Sequence, residues 1–278
     1  MVKIEDLTYA YGKSENPIFS DFNLSLEKGK VYGLMGKNGA GKSTLLYLIC
    51  GLLLPQEGRV TINGKDVRER LPETLSDIFI VPEEFDLPKI KLADYVKQNA
   101  KFYPKFNMND LLRCLKVFEL DENVNLGSLS MGVKKKVFMS FALATNASLL
   151  IMDEPTNGLD IPSKSQFRKF MASGMSDDRV VVISTHQVKD IDKIIDHVMI
   201  LDENEMPLNA SVSEVTRRLI FVESRNRELA QSAIYAQNSL GGCCMVLENT
   251  EGEDSELNLE TLFNVTLENR ELIKKLFR

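Results

Sequence analysis

The stretch "KVYGLMGKNGAGKSTLLYLIC", Lys30 to Cys50, decides how the rest of the chain is read. Its centre, "GKNGAGKST" from Gly36 to Thr44, satisfies G-x-x-x-x-G-K-[ST] and lies between a strand-like run and a helical one. Glycines there let the backbone wrap a polyphosphate with its amide N–H groups turned inward, and the N-terminus of the following helix adds partial positive charge. Gly36, Lys37, Asn38, Gly39, Ala40, Gly41, Lys42, Ser43 and Thr44 are therefore the expected nucleotide cradle. Within it, Lys42 reaches the β and γ phosphates and Ser43 offers its hydroxyl to Mg2+. A glycine-rich turn without a ligand is the competing reading, and the strand before it and the helix after it count against it.

Outward from this loop, "FNLSLEKG" and "KVYGLMG" read as short strands, a helix starts near Lys42, and "GRVTING" reads as a strand closing in an Asn-Gly turn. From Leu92 to Ala144 the spacing turns helical in "LADYVKQNAKFY", "MNDLLRCLKVFEL" and "VKKKVFMSFALAT", with Pro104 and "NVNLGS" as breaks. The sheet then resumes. "SLLIMDEP" and "RVVVISTH" are the near-continuous apolar runs that parallel strands covered on both faces require. "HVMILDENEMPLNA" reads as two strands around an acidic turn, and "SVSEVTRRL" as a short helix. Composition shifts over residues 220–278, which hold the acidic "ENTEGEDSE" and end in the amphipathic "LETLFNVTLENRELIKKLF". The expected fold class is α/β: a P-loop nucleotide-binding core with a mixed sheet flanked by helices, an inserted helical subdomain, and a small C-terminal α+β extension.

Two adjacent carboxylates end the strand in "LLIMDEPTNGLD". Asp153 is placed to hold the water shell of a metal, and Glu154 to polarise an attacking water. "VVVISTHQ" ends a later strand at His186, where such sheets bind ligands, so His186 is expected to contact the γ-phosphate. The other of the two histidines, His197 in "DHVMIL", reads as structural.

Bulk composition narrows the partners. With 34 basic against 40 acidic residues the 278-residue chain carries a formal charge of −6, which opposes broad attraction to nucleic acid or to an anionic membrane. Cys50, Cys114, Cys243 and Cys244 show no CxxC spacing and read as small core residues in a reducing compartment. The longest apolar run, "LLYLICGLLL", falls well short of the ~20 residues that cross a bilayer. The first residues, "MVKIEDLTYAYG", carry acids and no long apolar stretch of a secretory signal. The chain is expected in the cytoplasm, peripheral to the inner face of the membrane through a partner.

These motifs, in this order, resemble the ATP-binding subunit of ABC transporters. The resemblance covers roughly residues 1–219, with the helical subdomain about 88–146 and residues 220–278 left as an extension. It implies Tyr11 as the adenine-stacking aromatic, with Tyr9 as the alternative, Gly36–Thr44 as Walker A, and "LSMGV" from Leu129 as the signature. It further implies "LLIMDE" as Walker B, "GLD" with Asp160 as the D-loop, and His186 as the switch histidine. "FYPKF", "LSMGVKKKV" and "LETLFNVT" are similar to single-domain subunits of ABC-2-type exporters, including the YtrB-like group. In such a family two ATPase subunits, identical or paralogous, sandwich two ATP, and each drives motion in an integral-membrane permease on a separate chain. The implied function is ATP hydrolysis that powers export.

"LSMGVKKKV" itself has two readings, a basic helix for a phosphate backbone or one half of an ATP site. The resemblance implies that Ser130 and the backbone of Gly132 touch the γ-phosphate bound by the other subunit, and Ser130 also suits an N-cap. Met131 stands where the common signature has its first glycine and is expected to point away. Lys134, Lys135 and Lys136 lack the aromatic interleaving of a nucleic-acid patch. Glu83 in "IVPEEF" stands where the family usually has Gln, and a carboxylate there can still bind Mg2+ or orient water. The rival function is a soluble ABC ATPase without a transport role, such as an iron–sulfur assembly factor; a third is a nucleotide-binding regulator without hydrolysis. A DNA-repair ATPase would need long coiled-coil arms where only residues 45–128 separate Walker A from the signature.

Overall fold

Antiparallel pairing opens the chain. A computed structural model describes residues 1–12, 16–225, 227–239 and 242–277. Strand β1 (Val2–Tyr9) alternates buried and exposed positions, and an irregularity at Asp6, φ 47°, resets the alternation so that Ile4 and Leu7 both face inward. It pairs with β2 (Phe19–Leu26). Strand β3 (Val31–Gly36), buried throughout, feeds the glycine loop, and α1 (Lys42–Ile49) follows. Strands β4 (Glu57–Ile62) and β5 (Lys65–Asp66) meet across Asn63 and Gly64, whose φ of 52° and 81° make the two-residue hairpin that an Asn-Gly pair favours.

Next come α2 (Pro72–Leu75), β6 (Ile78–Val81) and three helices, α3 (Leu92–Asn99), α4 (Met108–Val117) and α5 (Met131–Ala144). After them lie β7 (Leu149–Asp153), α6 (Ile161–Gly174) and β8 (Val180–Thr185). The chain continues through β9 (His197–Asp202), β10 (Glu205–Ser211), α7 (Val212–Arg218), β11 (Leu219–Ser224) and α8 (Arg227–Ser232). Strands β12 (Tyr235–Ser239) and β13 (Gly242–Glu248) and helices α9 (Leu259–Glu268) and α10 (Arg270–Leu276) complete it.

These elements form two compact units, residues 1–31 with 43–185, and residues 32–42 with 186–278. The first contains an antiparallel sheet in the order β2-β1-β4-β5 and the parallel strands β6-β7-β8. Every residue of β7 and β8 is buried, which is why their sequences lack alternation. Helix α5 packs on α4 and β6, and Phe141 sits within ring contact of Phe79, Tyr95, Tyr103 and Phe106. Buried Arg179 binds the ends of the surrounding elements, donating to Ala147 O at 3.2 Å, Asn146 Oδ1 at 2.9 Å and the carbonyl of Gly174. Cys50 and Cys114 are buried, and burial pushes both thiols up, Cys114 to about 12.

In the second unit β3 runs parallel to β9, and β9 turns into antiparallel β10 through Glu203 and Asn204, both left-handed at φ 43° and 72°. The last stretch forms a separate antiparallel sheet, β11-β13-β12. Helix α10 lies along β10, where Arg270 bridges Glu205 at 2.7 Å and Lys274 pairs with the same carboxylate. Neither β1 nor α6 stands out in the sequence patterns, and the α+β extension expected over residues 220–278 is this sheet with α8, α9 and α10, its strands not individually placed by the sequence.

Candidate nucleotide site

The glycine loop begins where β3 ends. At Gly36 a Cβ would lie 2.6 Å from the carbonyl oxygen of Leu201, so the residue is fixed as glycine by backbone contact within its own unit. Gly39 differs: its φ is +83° and nothing lies within 4 Å of where a Cβ would stand, so the loop leaves open space above it. Ala40 N donates to Lys37 O at 3.1 Å and closes a tight turn through Asn38 and Gly39; Gly41 is also left-handed, at φ 96°. Lys42, at the first position of α1, is 7% exposed, and its Nζ donates to Gly36 O at 2.8 Å and Lys37 O at 3.2 Å. The loop is thus wrapped around an ammonium held by two neutral carbonyls. His186, also in the second unit, is exposed, with Gln187 Nε2 3.5 Å from its Nε2. His197 is structural in place: its Nε2 meets Asn209 Oδ1 at 2.7 Å and its ring lies 4.9 Å from that of Tyr32.

In the first unit, Ser43 and Thr44 continue into α1, and Tyr11 reaches them through a 3.1 Å hydrogen bond between its hydroxyl and Thr44 Oγ1. Tyr9 packs edge-on against Tyr11 with ring centroids 5.1 Å apart. Tyr9 is buried while Tyr11 is 50% exposed, which leaves Tyr11 with the ring surface open to a base.

Asp153 ends β7 and is 1% exposed, with Ser184 Oγ donating to its carboxylate. Glu154 follows in the left-handed region at φ 47°, a conformation uncommon for a residue with a side chain and of the kind found at functional sites. Its backbone N–H donates to Ser184 Oγ at 3.0 Å and to Ser184 O at 3.2 Å. Glu83 accepts from Asn157 Nδ2 at 2.9 Å. Asp160 caps α6, accepting from Ser163 N at 2.9 Å, and hydrogen bonds from Ser163 hold its carboxyl below the ordinary aspartate range.

Ser130 caps α5 and accepts from Val133 N at 3.5 Å. Met131 is 54% exposed and turned away from the core. A Cβ on Gly132 would come no closer than 3.4 Å to any neighbour, an ordinary contact, so this chain's own packing makes no demand for glycine there. The three lysines do not form a patch. Lys134 bridges Asp86 at 2.9 Å, Lys136 lies 3.4 Å from Gln166 Oε1 and over the Phe118 ring, and Lys135 is buried with its Nζ on the carbonyls of Glu154 and Asn157. Ser184, Asn157 and Lys135 were missed in the sequence: a serine in an apolar strand, an asparagine in a loop and a lysine among lysines carry no local signal of their partners.

Comparison with known proteins agrees with this geometry. The family model described as ABC transporter matches residues 19–157. The lantibiotic transport ATP-binding protein SrtF of Streptococcus pyogenes is 30% identical over 244 residues, covering 81% of this chain and all of that protein. The ABC transporter ATP-binding protein YtrB of Bacillus subtilis (strain 168) is 26% identical over 240 residues, 86% of this chain and 81% of that one. Among solved structures, the ADP- and Pi-bound dimer of the ATP-binding cassette MJ0796, in a post-hydrolysis state, superposes with a TM-score of 0.67 at 26% identity over 76% of this chain and 99% of that chain. This chain therefore belongs to the ABC transporter family, as an ATP-binding and ATP-hydrolysing member.

Proposed function

We propose that this ATPase closes as a dimer, with itself or a paralogue, around two MgATP and thereby drives export through a separate membrane-embedded permease. The observation that carries the reading is the start of α5. There a capping hydroxyl, a helix N-terminus and a glycine not required by the chain's own packing stand together, as binding of an anion calls for, and Met131 is 54% exposed. Such a surface suits a second subunit that presents the γ-phosphate of its own ATP.

In this reading residues 1–219 are the ATPase domain, with the helical subdomain at residues 88–146, and residues 220–278 an extension. Lys42 and the amides of Gly36–Thr44 hold the phosphates, and Tyr11 stacks on the base. Glu154 takes the proton of the attacking water, and His186 contacts the γ-phosphate. Mg2+ is commonly held by one or two protein oxygens together with substrate phosphates. Ser43 and Asp153, with Glu83, would hold it, and it would neutralise charge on the β and γ phosphates.

Among the described residues no helix is long and apolar enough to cross a membrane. One feature supports a permease partner. The first unit carries a cleft of about 310 Å³ lined by Phe79, Tyr95, Tyr103, Phe138 and Phe141, with Leu52 exposed at its edge, a shape that an amphipathic helix of a permease would fill. The place of work would then be the inner face of the membrane. Export follows the likeness to exporter subunits and the tie of one relative to lantibiotic transport. The test is purification from detergent-extracted membranes. A co-purifying protein with several membrane spans, and Glu154→Gln complexes that dimerise on MgATP without turnover, are expected; a chain that stays alone and monomeric with MgATP overturns the reading.

A further inference from the structure

An α-helix turns about 100° per residue, so three consecutive lysines on α5 point in three directions. Only Lys135 points into the protein, at 3% exposed. Its Nζ donates to Asn157 O at 3.0 Å and to Glu154 O at 3.2 Å, and Asn157 in turn donates its side-chain amide to Glu83 Oε1 at 2.9 Å. One ammonium therefore ties the helix that begins at Ser130 to the backbone of the base and to that of Asn157, just before the D-loop, and through the Asn157 side chain to the glutamate that replaces the usual Gln.

Packing does not call for a charge here. A methionine or glutamine fills similar volume without the cost of taking an ammonium out of water, and the two carbonyls repay that cost only in part. Burial is the largest influence on the Lys135 ammonium and pushes its pKa down; the carboxylates of Glu83, Glu154 and Asp153 push it back up. The lysine is thus retained inside a field of carboxylates that a neutral side chain would leave without compensation.

We propose that Lys135 is a positioning residue for hydrolysis, linking the helix that receives a partner's γ-phosphate at Ser130 and Gly132 to the general base Glu154 and to Glu83 of the same chain. The inference rests on the dimer reading above and deepens it. Lys135 lies five residues after the cap on an unbroken helix, so a displacement of the first turn carries its Nζ and both bound carbonyls with it. Occupancy of one nucleotide site is thereby conveyed to the water-activating group of the other.

The experiment uses the permease-bound complex and compares Lys135→Met, Lys135→Gln, Glu83→Gln and the double variant Lys135→Met/Glu83→Gln in MgATP turnover and thermal unfolding. For Lys135→Met we expect kcat, measured well below the unfolding midpoint, to fall about tenfold or more with KM changed less than about threefold, while the midpoint itself falls, since two carbonyls and the nearby carboxylates lose their cation. In the Glu83→Gln background the same substitution should cost at least about threefold less, because the pair acts through one network. If Lys135→Met does not fold, Lys135→Gln carries the same criterion. A kcat within about twofold of wild type, or losses that multiply independently within about twofold, overturns the proposal. Glu154→Gln runs in parallel: if it turns over ATP like wild type, the base assignment under the proposed function fails, whereas a dead Glu154→Gln beside a fully active Lys135→Met sinks only this inference.

Discussion

Ser184 braces Asp153: its hydroxyl donates to the carboxylate from the neighbouring strand, and the same oxygen accepts the backbone N–H of Glu154 at 3.0 Å. One side chain on β8 thus fixes both acids at the end of β7. Ser184→Ala leaves a buried carboxylate oxygen short of a partner, while the Glu154 N–H keeps the Ser184 carbonyl at 3.2 Å, a loss of about 1–3 kcal/mol in stability by the usual cost of such a group. Urea unfolding should show that loss, and MgATP turnover should fall with it. Unchanged turnover would mean that the brace serves folding alone.

Tyr11 is expected to bind the base through its ring and not its hydroxyl. Stacking of a base on an aromatic side chain contributes roughly 1–3 kcal/mol, so Tyr11→Ala should raise KM for ATP about tenfold or more. Tyr11→Phe loses only the 3.1 Å bond to Thr44 and should shift KM by less than about threefold. Equal effects of the two variants would remove the stacking role.

At Gly174 a Cβ would stand 1.9 Å from Leu143 Cδ1 and 2.7 Å from Leu143 Cγ, and Leu143 is itself 2% exposed. Gly174→Ala is therefore expected to overpack the contact between α6 and α5, at about 1–3 kcal/mol. Adding Leu143→Ala removes the colliding atoms. The double variant should be more stable than the sum of the two single losses, which a denaturation cycle measures directly.

Glu205 joins α10 to the β9–β10 hairpin, and its hydrogen bonds, first from Lys274 and then from Arg270, hold its carboxyl below the ordinary glutamate value of 4.5. A folded-state pKa depressed in this way gives stability that is fully present above pH 4.5 and is lost as pH falls through the lower folded value. Glu205→Gln should therefore lower the unfolding midpoint at pH 7, and the gap to wild type should close in acid. The carboxylate is largely exposed, so the gap should also shrink with added salt. A gap independent of pH would assign the effect to packing.

Much of the site is legible along the chain because its parts are local. A phosphate loop needs glycines, a lysine and a hydroxyl within nine residues, so Gly36–Thr44 is read from spacing, whereas Ser130 is read from its chemistry only as a helix cap and joins the site through the family resemblance. The buried parallel strands β7 and β8 were equally plain, since a strand covered on both faces loses its alternation. The Asn63–Gly64 hairpin followed from turn chemistry.

What tertiary structure decided is which partner each side chain meets. Lys134, Lys135 and Lys136 are indistinguishable in sequence, yet one bridges Asp86, one is buried on the carbonyls of Glu154 and Asn157, and one lies over Phe118. The C-terminal extension is expected as α+β, but the positions of β11, β12 and β13 within it are not legible, because its strands are only partly buried and leave a weak pattern. Local sequence sets backbone conformation through a few neighbouring residues, whereas the energy of a buried charge depends on groups brought from 19 and 22 positions away, and only the folded chain brings them there.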